Sequence, residues 1–318
     1  MSVWLLTDAA TDAHASAGHP ERPDRRGAVA DGVRDAAGDA VVEPAVERID
    51  RETLHAIHDP AYLAALDEAE AHGGGWLDAD TYVVPGSIHA AELAAGATLQ
   101  AALAAATGAA EVAFAVVRPP GHHAARERGS GFCLVNNVAV AVAGLRARGV
   151  AERIAIIDWD VHHGNGTQAI FDADPSLCYA STHQSPHYPG TGARAESGIG
   201  LAAGTKHNRP LPPESGDEAF ISAWRDELLP AIEAFAPEAM LISAGYDAHV
   251  DDPLASLEVT EDGYEEIATL IGALSRRLAL GGVALTLEGG YGLDALRAST
   301  AATVRGIRAG QTSSMDHA

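Results

Sequence analysis

Lysine is nearly absent from this 318-residue chain: Lys206 stands alone, and the other twenty of the 21 basic residues are arginines. Against them stand 44 acidic residues and a formal net charge of -23, which repels phosphate backbones and anionic headgroups and sets aside nucleic acids and membranes as partners. An acidic, Ala-rich, Lys-poor composition is what a salt-rich cytosol or a GC-rich genome produces. Cysteine is scarce as well. Cys133 and Cys178 are too few and too far apart for a disulfide framework or a cysteine zinc cage, and they fit a reducing compartment. Long apolar runs are missing: residues 3–6 are far shorter than a signal-peptide core, and nothing reaches the roughly twenty residues of a membrane span. A cytoplasmic location is expected. What is abundant is core-forming material, 47% hydrophobic residues, which excludes a disordered chain.

Short apolar or β-branched runs recur, each closing in a Gly-, Pro- or Asp-bearing loop and then a helical pattern, the cadence of a parallel sheet with crossover helices. Strands are predicted at residues 3–6, 112–117, 153–157, 177–181, 239–243 and 283–287, with a weaker one near Val41. Their near-continuous apolarity implies burial on both faces. Helices are predicted at 25–37, 60–72, 86–106, 134–148, 214–235, 265–280 and 293–308. In the sixth of these, Ile267, Leu270, Ile271, Leu274 and Leu278 share one face and form a core stripe. The expectation is one α/β domain, residues 1–309, with a central, mostly parallel sheet covered by helices on both faces, and a disordered polar tail, 310–318. Residues 182–213, rich in Gly, Pro, His and Asn, break the cadence and read as a long functional loop.

In open parallel sheets ligands bind outside the carboxyl ends of the strands. The residues there are unusual: 118–123 read RPPGHH, 158–166 DWDVHHGNG, 244–249 AGYDAH and 288–291 EGGY. Asp160 and His162 lie two apart, so in an extended segment both side chains leave from one face and can reach one ion. Asp247, at a corresponding strand end, is the candidate third ligand. Two carboxylates and one imidazole suit zinc with a position left open, the catalytic arrangement. Helix capping would explain one such aspartate more readily than the whole set. Two carboxylates also neutralise the dication more than imidazoles would, so water there is less acidified and a separate general base is needed. His122 and His123 are the candidates, held by a stiff Pro-Pro-Gly turn with Asp158 and Asn165 available as partners. Tyr291, behind two glycines, carries a hydroxyl able to stabilise an oxyanion.

These motifs resemble the histone deacetylase family, whose fold is shared with arginase. The match comprises RPPGHHA at 118–124, GFCLVNN at 131–137, DWDVHHGNGTQ at 158–168, PGTG at 189–192, SAGYDAH at 243–249, DPL at 252–254 and LEGGY at 287–291, and it runs from about His19 to about residue 300. The resemblance implies a deacetylase that removes acetyl or other short acyl groups from protein lysine side chains and releases acetate. Asp160, His162 and Asp247 would bind one zinc. His123 would be general base and acid, His122 an electrostatic support paired with Asp158, and Tyr291 the oxyanion donor. Asn165, as in class II-like enzymes, would make His123 less basic than an aspartate partner would. Gly131, Phe132, Tyr188 and Leu254 would line the substrate tunnel. Arg25 would stand near an internal acetate exit, with Arg26 the competing alignment. Asp158, Asp160, His162, Ser181 and Thr182 match the family's structural potassium site. Cys133 reads as a packed thiol. His163, His183, His187, His207 and His249 read as structural or surface residues.

Three rival readings differ at named residues. Acetylated polyamines share the chemistry, but polyamine-selective relatives have glutamate where this chain has Leu254, and leucine favours a neutral acyl-lysine stem. An arginase-like two-metal ureohydrolase would need two carboxylates where residues 245–247 offer only Asp247. A non-catalytic acyl-lysine binder or acetoin-utilisation accessory protein fits poorly with an intact histidine pair, metal triad and tyrosine. The oligomeric state leaves no mark on the sequence.

Overall fold

The computed structural model describes residues 2–312. Ten strands are formed among the described residues: β1 (Val3–Leu6), β2 (Val41–Val42), β3 (Gly75–Trp76), β4 (Tyr82–Val83), β5 (Val112–Ala115), β6 (Ile154–Asp158), β7 (Leu177–Gln184), β8 (Lys206–Leu211), β9 (Ala239–Ala244) and β10 (Val283–Leu287). β3 and β4 form a small antiparallel hairpin. The other eight make one sheet, in the order β2-β1-β5-β10-β9-β6-β7-β8, with every neighbouring pair parallel. The helices are α1 (Asp24–Ala37), α2 (Arg51–Ile57), α3 (Pro60–Ala71), α4 (Ser87–Ala106), α5 (Asn137–Ala147), α6 (Asn165–Phe171), α7 (Asp217–Ala223), α8 (Leu229–Phe235), α9 (Glu261–Arg277) and α10 (Leu293–Thr312).

Alternation along each strand divides the core between the two faces of the sheet. Val112, Phe114, Ala155 and Ile157 pack with Val29 and Val33 of α1, Ile267 and Ile271 of α9, and Leu296 and Val304 of α10. Ala113, Ala115, Ile154 and Ile156 face the other way, onto Ala94, Ala97 and Ala101 of α4 and Val138 and Val142 of α5. Complete burial of a side chain such as Phe114 stabilises by roughly 1.5–3 kcal/mol. Small residues on the second face let α4 and α5 approach closely: a Cβ on Gly144 would lie 2.5 Å from a Leu99 methyl carbon.

The expected α/β architecture is therefore present, with differences that have local causes. The helix expected from residue 134 begins at Asn137, because the Asn136 side chain accepts from Ala139 N–H at 3.0 Å and caps it. The helix expected over 214–235 is interrupted by a π-helical turn, Trp224–Leu228, just before Pro230 removes a backbone donor. The supposed loop 182–213 is partly sheet. β7 runs on to Gln184, and polar, proline-bearing β8 pairs on one side only, the edge position where a strand tolerates proline. The final helix continues through Gly310 to Thr312, where a disordered tail was expected from 310; the rest of that expected tail, residues 313–318, lies outside the described residues. No helix among the described residues is long and apolar enough to cross a membrane.

Candidate active site

Sheet order brings the chemistry together. β5, β10, β9 and β6 are neighbours, and the loops after them open onto one pocket. His122, His123, Asp160, His162, Gly289 and Tyr291 line it, together with Gly131, Phe132, Tyr188 and Leu254. Pro20, Asp80, Pro120 and His187 also belong to the wall, and sequence reading assigned none of these four to the site. His187 stacks on His162, ring centroids 4.9 Å apart.

His162 Nδ1 lies 3.0 Å from Asp160 Oδ1 and 3.2 Å from Asp247 Oδ2. Ligands held at 2.0–2.1 Å around tetrahedral zinc stand roughly 3.3 Å apart, so these separations suit one ion. The other carboxylate oxygens are committed: Asp160 Oδ2 accepts from Gly289 N–H at 2.8 Å and Asp247 Oδ1 from Val161 N–H at 2.9 Å. Buried Asp247 Oδ2 has no hydrogen-bond partner, an orphan that a cation would satisfy. Glycines keep the space open. A Cβ on Gly245 would fall 2.1 Å from Asp160 Oδ2, and one on Gly289 2.0 Å from Asp247 Oδ2. Against the penalty of burial, the two carboxylates lift the His162 pKa to about 10, so their common point favours positive charge. The three residues fit a divalent metal, and they are the one such cluster among the described residues.

The rings of His122 and His123 lie 4.0 Å apart but have opposite partners. His122 Nδ1 meets Asp158 Oδ2 at 3.1 Å, and despite burial the charges of Asp160 and Asp158 lift its pKa to about 10. His123 Nδ1 donates to Asn165 Oδ1 at 2.7 Å, because an amide oxygen can only accept. That selects the Nδ1–H tautomer and leaves a lone pair on Nε2. Burial, then the charges of His122 and His162, press the His123 pKa well below its ordinary value. Gly131 backs this ring: at φ +54° it sits in the left-handed region, and a Cβ there would lie 2.4 Å from His123 Cδ2. Burial holds the Tyr291 hydroxyl pKa well above its usual value, so it stays protonated and able to donate. Phe132 meets Tyr291 edge-on with centroids 5.9 Å apart, and Tyr188 meets His123 edge-on at 5.1 Å.

Arg25 is fully buried, donates to Glu21 Oε1 at 2.9 Å and to the carbonyls of Gly290 and Glu288, and lies 4.9 Å from the Tyr291 ring centroid. Arg26 pairs instead with Asp12. Ser181 Oγ meets His183 Nδ1 and Thr182 Oγ1 accepts from Trp224 Nε1–H, so an ion beside them would take main-chain oxygens. Cys133 is buried, and burial pushes its thiol pKa up, as a packed thiol requires. Two further buried carboxylates touch the site. Asp252 Oδ2 accepts from Tyr291 N–H at 2.7 Å while its Oδ1 accepts from Leu254 N–H at 3.0 Å, tying the pocket wall to the tyrosine turn. Glu288 accepts from the amides of Gly121 and His122. Both lie inside motifs already noted, DPL and LEGGY, which was the available signal.

Comparison with known proteins gives the chain a family and relatives of similar fold. The family described as "Histone deacetylase domain" matches residues 19–307. A "Probable deacetylase" of Archaeoglobus fulgidus is 40% identical over 279 residues, 87% of this chain and 77% of the relative. Among solved structures, the HDA15 HD domain superimposes with a TM-score of 0.88 at 36% identity, covering 95% of this chain and 87% of that one. An acetylpolyamine aminohydrolase from Burkholderia pseudomallei also gives 0.88, at 30% identity over 97% of this chain and 99% of that one.

Proposed function

The chain belongs to the histone deacetylase family, and we propose that it is a zinc-dependent amidohydrolase that removes acetyl or other short acyl groups from protein lysine side chains, releasing acetate. The observation that carries this reading is the state of His123: Asn165 holds it as the Nδ1–H tautomer, with Nε2 free, in the same pocket as a three-ligand point and a protonated tyrosine. A zinc ion on Asp160, His162 and Asp247 would polarise the acyl carbonyl and make water a better nucleophile. His123 takes the proton from the attacking water and returns it to the leaving amine. Tyr291 donates its hydroxyl to the oxyanion. His122, kept charged by Asp160 and Asp158, adds positive potential behind them.

Phe132 and Tyr188 grip the aliphatic stem, Gly131 keeps the entrance thin, and Leu254 gives the stem an apolar neighbour. Arg25, against Tyr291, would meet the departing acetate. A structural potassium ion would sit on Asp158, Asp160, His162, Ser181 and Thr182. Two buried free thiols, Cys133 and Cys178, support placement in a reducing cytoplasm. A second reading, acetylated polyamines, is favoured by one feature: the Asp80 carboxylate in the pocket wall could pair with a distal ammonium.

Acetate release from acetyl-lysine peptides and from acetylated polyamines, assayed side by side with and without chelator and with metal content measured on the same sample, tests both. The His123→Ala and Tyr291→Phe variants should lose at least roughly 100-fold in turnover while remaining folded. Unchanged turnover in zinc-loaded H123A defeats the role given to His123, and activity that survives complete metal removal defeats the metal reading.

A further inference from the structure

The rings of the histidine pair are fixed from the end of β6, through Asp158, and from the start of α6, through Asn165. Their backbone is fixed from elsewhere. Glu288, the residue just after β10, is completely buried, and its side chain meets both strands that flank β10: Ser243 of β9 on one side and the loop that follows β5 on the other. Its Oε2 accepts from Gly121 N–H at 2.6 Å and His122 N–H at 3.1 Å, and its Oε1 from the Ser243 hydroxyl at 3.0 Å. The carbonyls of the same loop are held from the opposite side, Pro119 O by the Asn137 amide at 3.1 Å and His122 O by Thr167 N–H at 3.0 Å. The loop is thus gripped through its acceptors by α5 and α6 and through its donors by one carboxylate. Gly121 allows this approach, since a Cβ there would stand 2.5 Å from Asn137 N.

All three hydrogen-bond partners of the Glu288 carboxylate are neutral. An ionised carboxylate in such a place carries a desolvation penalty that hydrogen bonds to uncharged groups only partly offset. What the fold uses is an oxygen at a defined reach, able to accept from two consecutive amides. A glutamine can supply that oxygen, and its amide N–H can donate to Ser243 Oγ, which accepts as well as donates. An aspartate keeps the charge but is one methylene shorter, about 1.5 Å, which takes its oxygen out of hydrogen-bonding range.

We propose that Glu288 is a positioning residue for the proposed hydrolysis: its carboxylate clamps the Gly121 and His122 amides and so aims the His123 imidazole, the neighbouring residue, at the reacting amide. This rests on the reading of His123 as the group that moves the protons. It makes reach, not charge, the property that matters at position 288.

The test compares Glu288→Gln, Glu288→Asp and Glu288→Ala by two readouts. The first is amide hydrogen exchange at Gly121 and His122 in the metal-free protein, followed by NMR. The second is kcat and KM on an acetyl-lysine peptide for zinc-loaded protein, measured well below the unfolding temperature. E288Q should stay within about 3-fold of wild type in both. E288D and E288A should exchange those two amides at least about 100-fold faster and lose about 30- to 100-fold in kcat with KM nearly unchanged, as a misplacement near 1 Å predicts. A merely structural carboxylate would lower the unfolding temperature and leave kcat of the folded sample alone, and that result overturns the proposal. So does the inverse pattern, E288D active and E288Q inactive. Should E288A fail to fold, E288Q against E288D still decides. Absence of turnover in wild type defeats the proposed function, whereas unchanged amide protection in E288D defeats the clamp, so the two failures are told apart.

Discussion

Gly289→Ala isolates the claim that the strand-end loops form a metal cradle. Gly289 is not in the left-handed region, so alanine adds no backbone strain; it adds one methyl group. That carbon would stand 2.0 Å from Asp247 Oδ2 and 2.6 Å from Asp160 Oδ2. Van der Waals contact needs more than 3 Å, so the Asp247 oxygen must retreat by about 1 Å, several times the tolerance of roughly 0.2 Å for a ligand position. Disturbing an outer partner of a metal ligand already costs 10- to 100-fold in affinity, and displacing ligand atoms themselves should cost at least about 100-fold. At a free zinc concentration 1,000 times the wild-type Kd, metal stabilises the folded chain by about 4.1 kcal/mol. A site weakened 100-fold gains only about 1.4 kcal/mol at the same concentration, a deficit of about 2.7 kcal/mol. Denaturant unfolding of wild type and variant, each with buffered zinc and with chelator, measures this difference directly. The apo proteins should differ by no more than the roughly 1–3 kcal/mol of a small overpacking. Equal zinc-dependent stabilisation of G289A and wild type would refute the cradle.

Asn165→Asp should raise the His123 pKa by replacing a neutral acceptor with an anion; because a base must be unprotonated to act, the acidic limb of kcat/KM should move to higher pH by about one unit or more, and an unmoved limb contradicts the tautomer argument. Gly131→Ala should add about 1–2 kcal/mol of left-handed strain and drive a methyl into the His123 ring, lowering kcat by about 100-fold; wild-type kcat in the folded variant removes Gly131 from the site. Burial lowers the pKa of His14 and His58 to about 4 and that of His183 to about 3. Each is depressed below its unfolded value near 6.5, so the unfolded chain takes the proton first: stability is full above that pH and falls below it by about 1.4 kcal/mol per unit per histidine, and a urea midpoint flat from pH 6.5 to 5 excludes this.

The grouping of the candidate site residues was more legible than the order of the strands, for a physical reason. Strand-end residues such as Asp160 and His162 must point the same way to share an ion, and a spacing of two achieves that locally, so the signal sits in a few consecutive letters. The neighbour order of the strands has no such local signature. β10 and β9 insert between β5 and β6, and only that order puts Glu288 within reach of Gly121 and Asp247 within reach of His162. β8 escaped notice because an edge strand pairs on one side and needs no apolar run; its residues 206–211 are mostly polar and include Pro210. β7 was cut short because Thr182, His183 and Gln184 are polar yet buried, their groups satisfied by Trp224, Gly192 and Ser256 in place of apolar packing.

Adjacent residues of identical chemistry are driven apart here by their surroundings. The charges of Asp160 and Asp158 push the His122 pKa up despite burial, while burial, then the charges of His122 and His162, push that of His123 down against the smaller upward pull of its bond to Asn165. Charge on His122 is itself among the causes that keep His123 neutral, so the asymmetry reinforces itself across 4.0 Å. Pairs of titratable groups driven apart in this way mark acid and base assignments. The backbone must then hold the two rings at fixed separation, since a shift of either weakens both the repulsion and the aim. Fixed rings need fixed amides, and a histidine pair anchored only through its side chains would leave the peptide between them free to rotate. The same electrostatic logic that selects a neutral His123 therefore calls for a rigid main chain at Gly121 and His122.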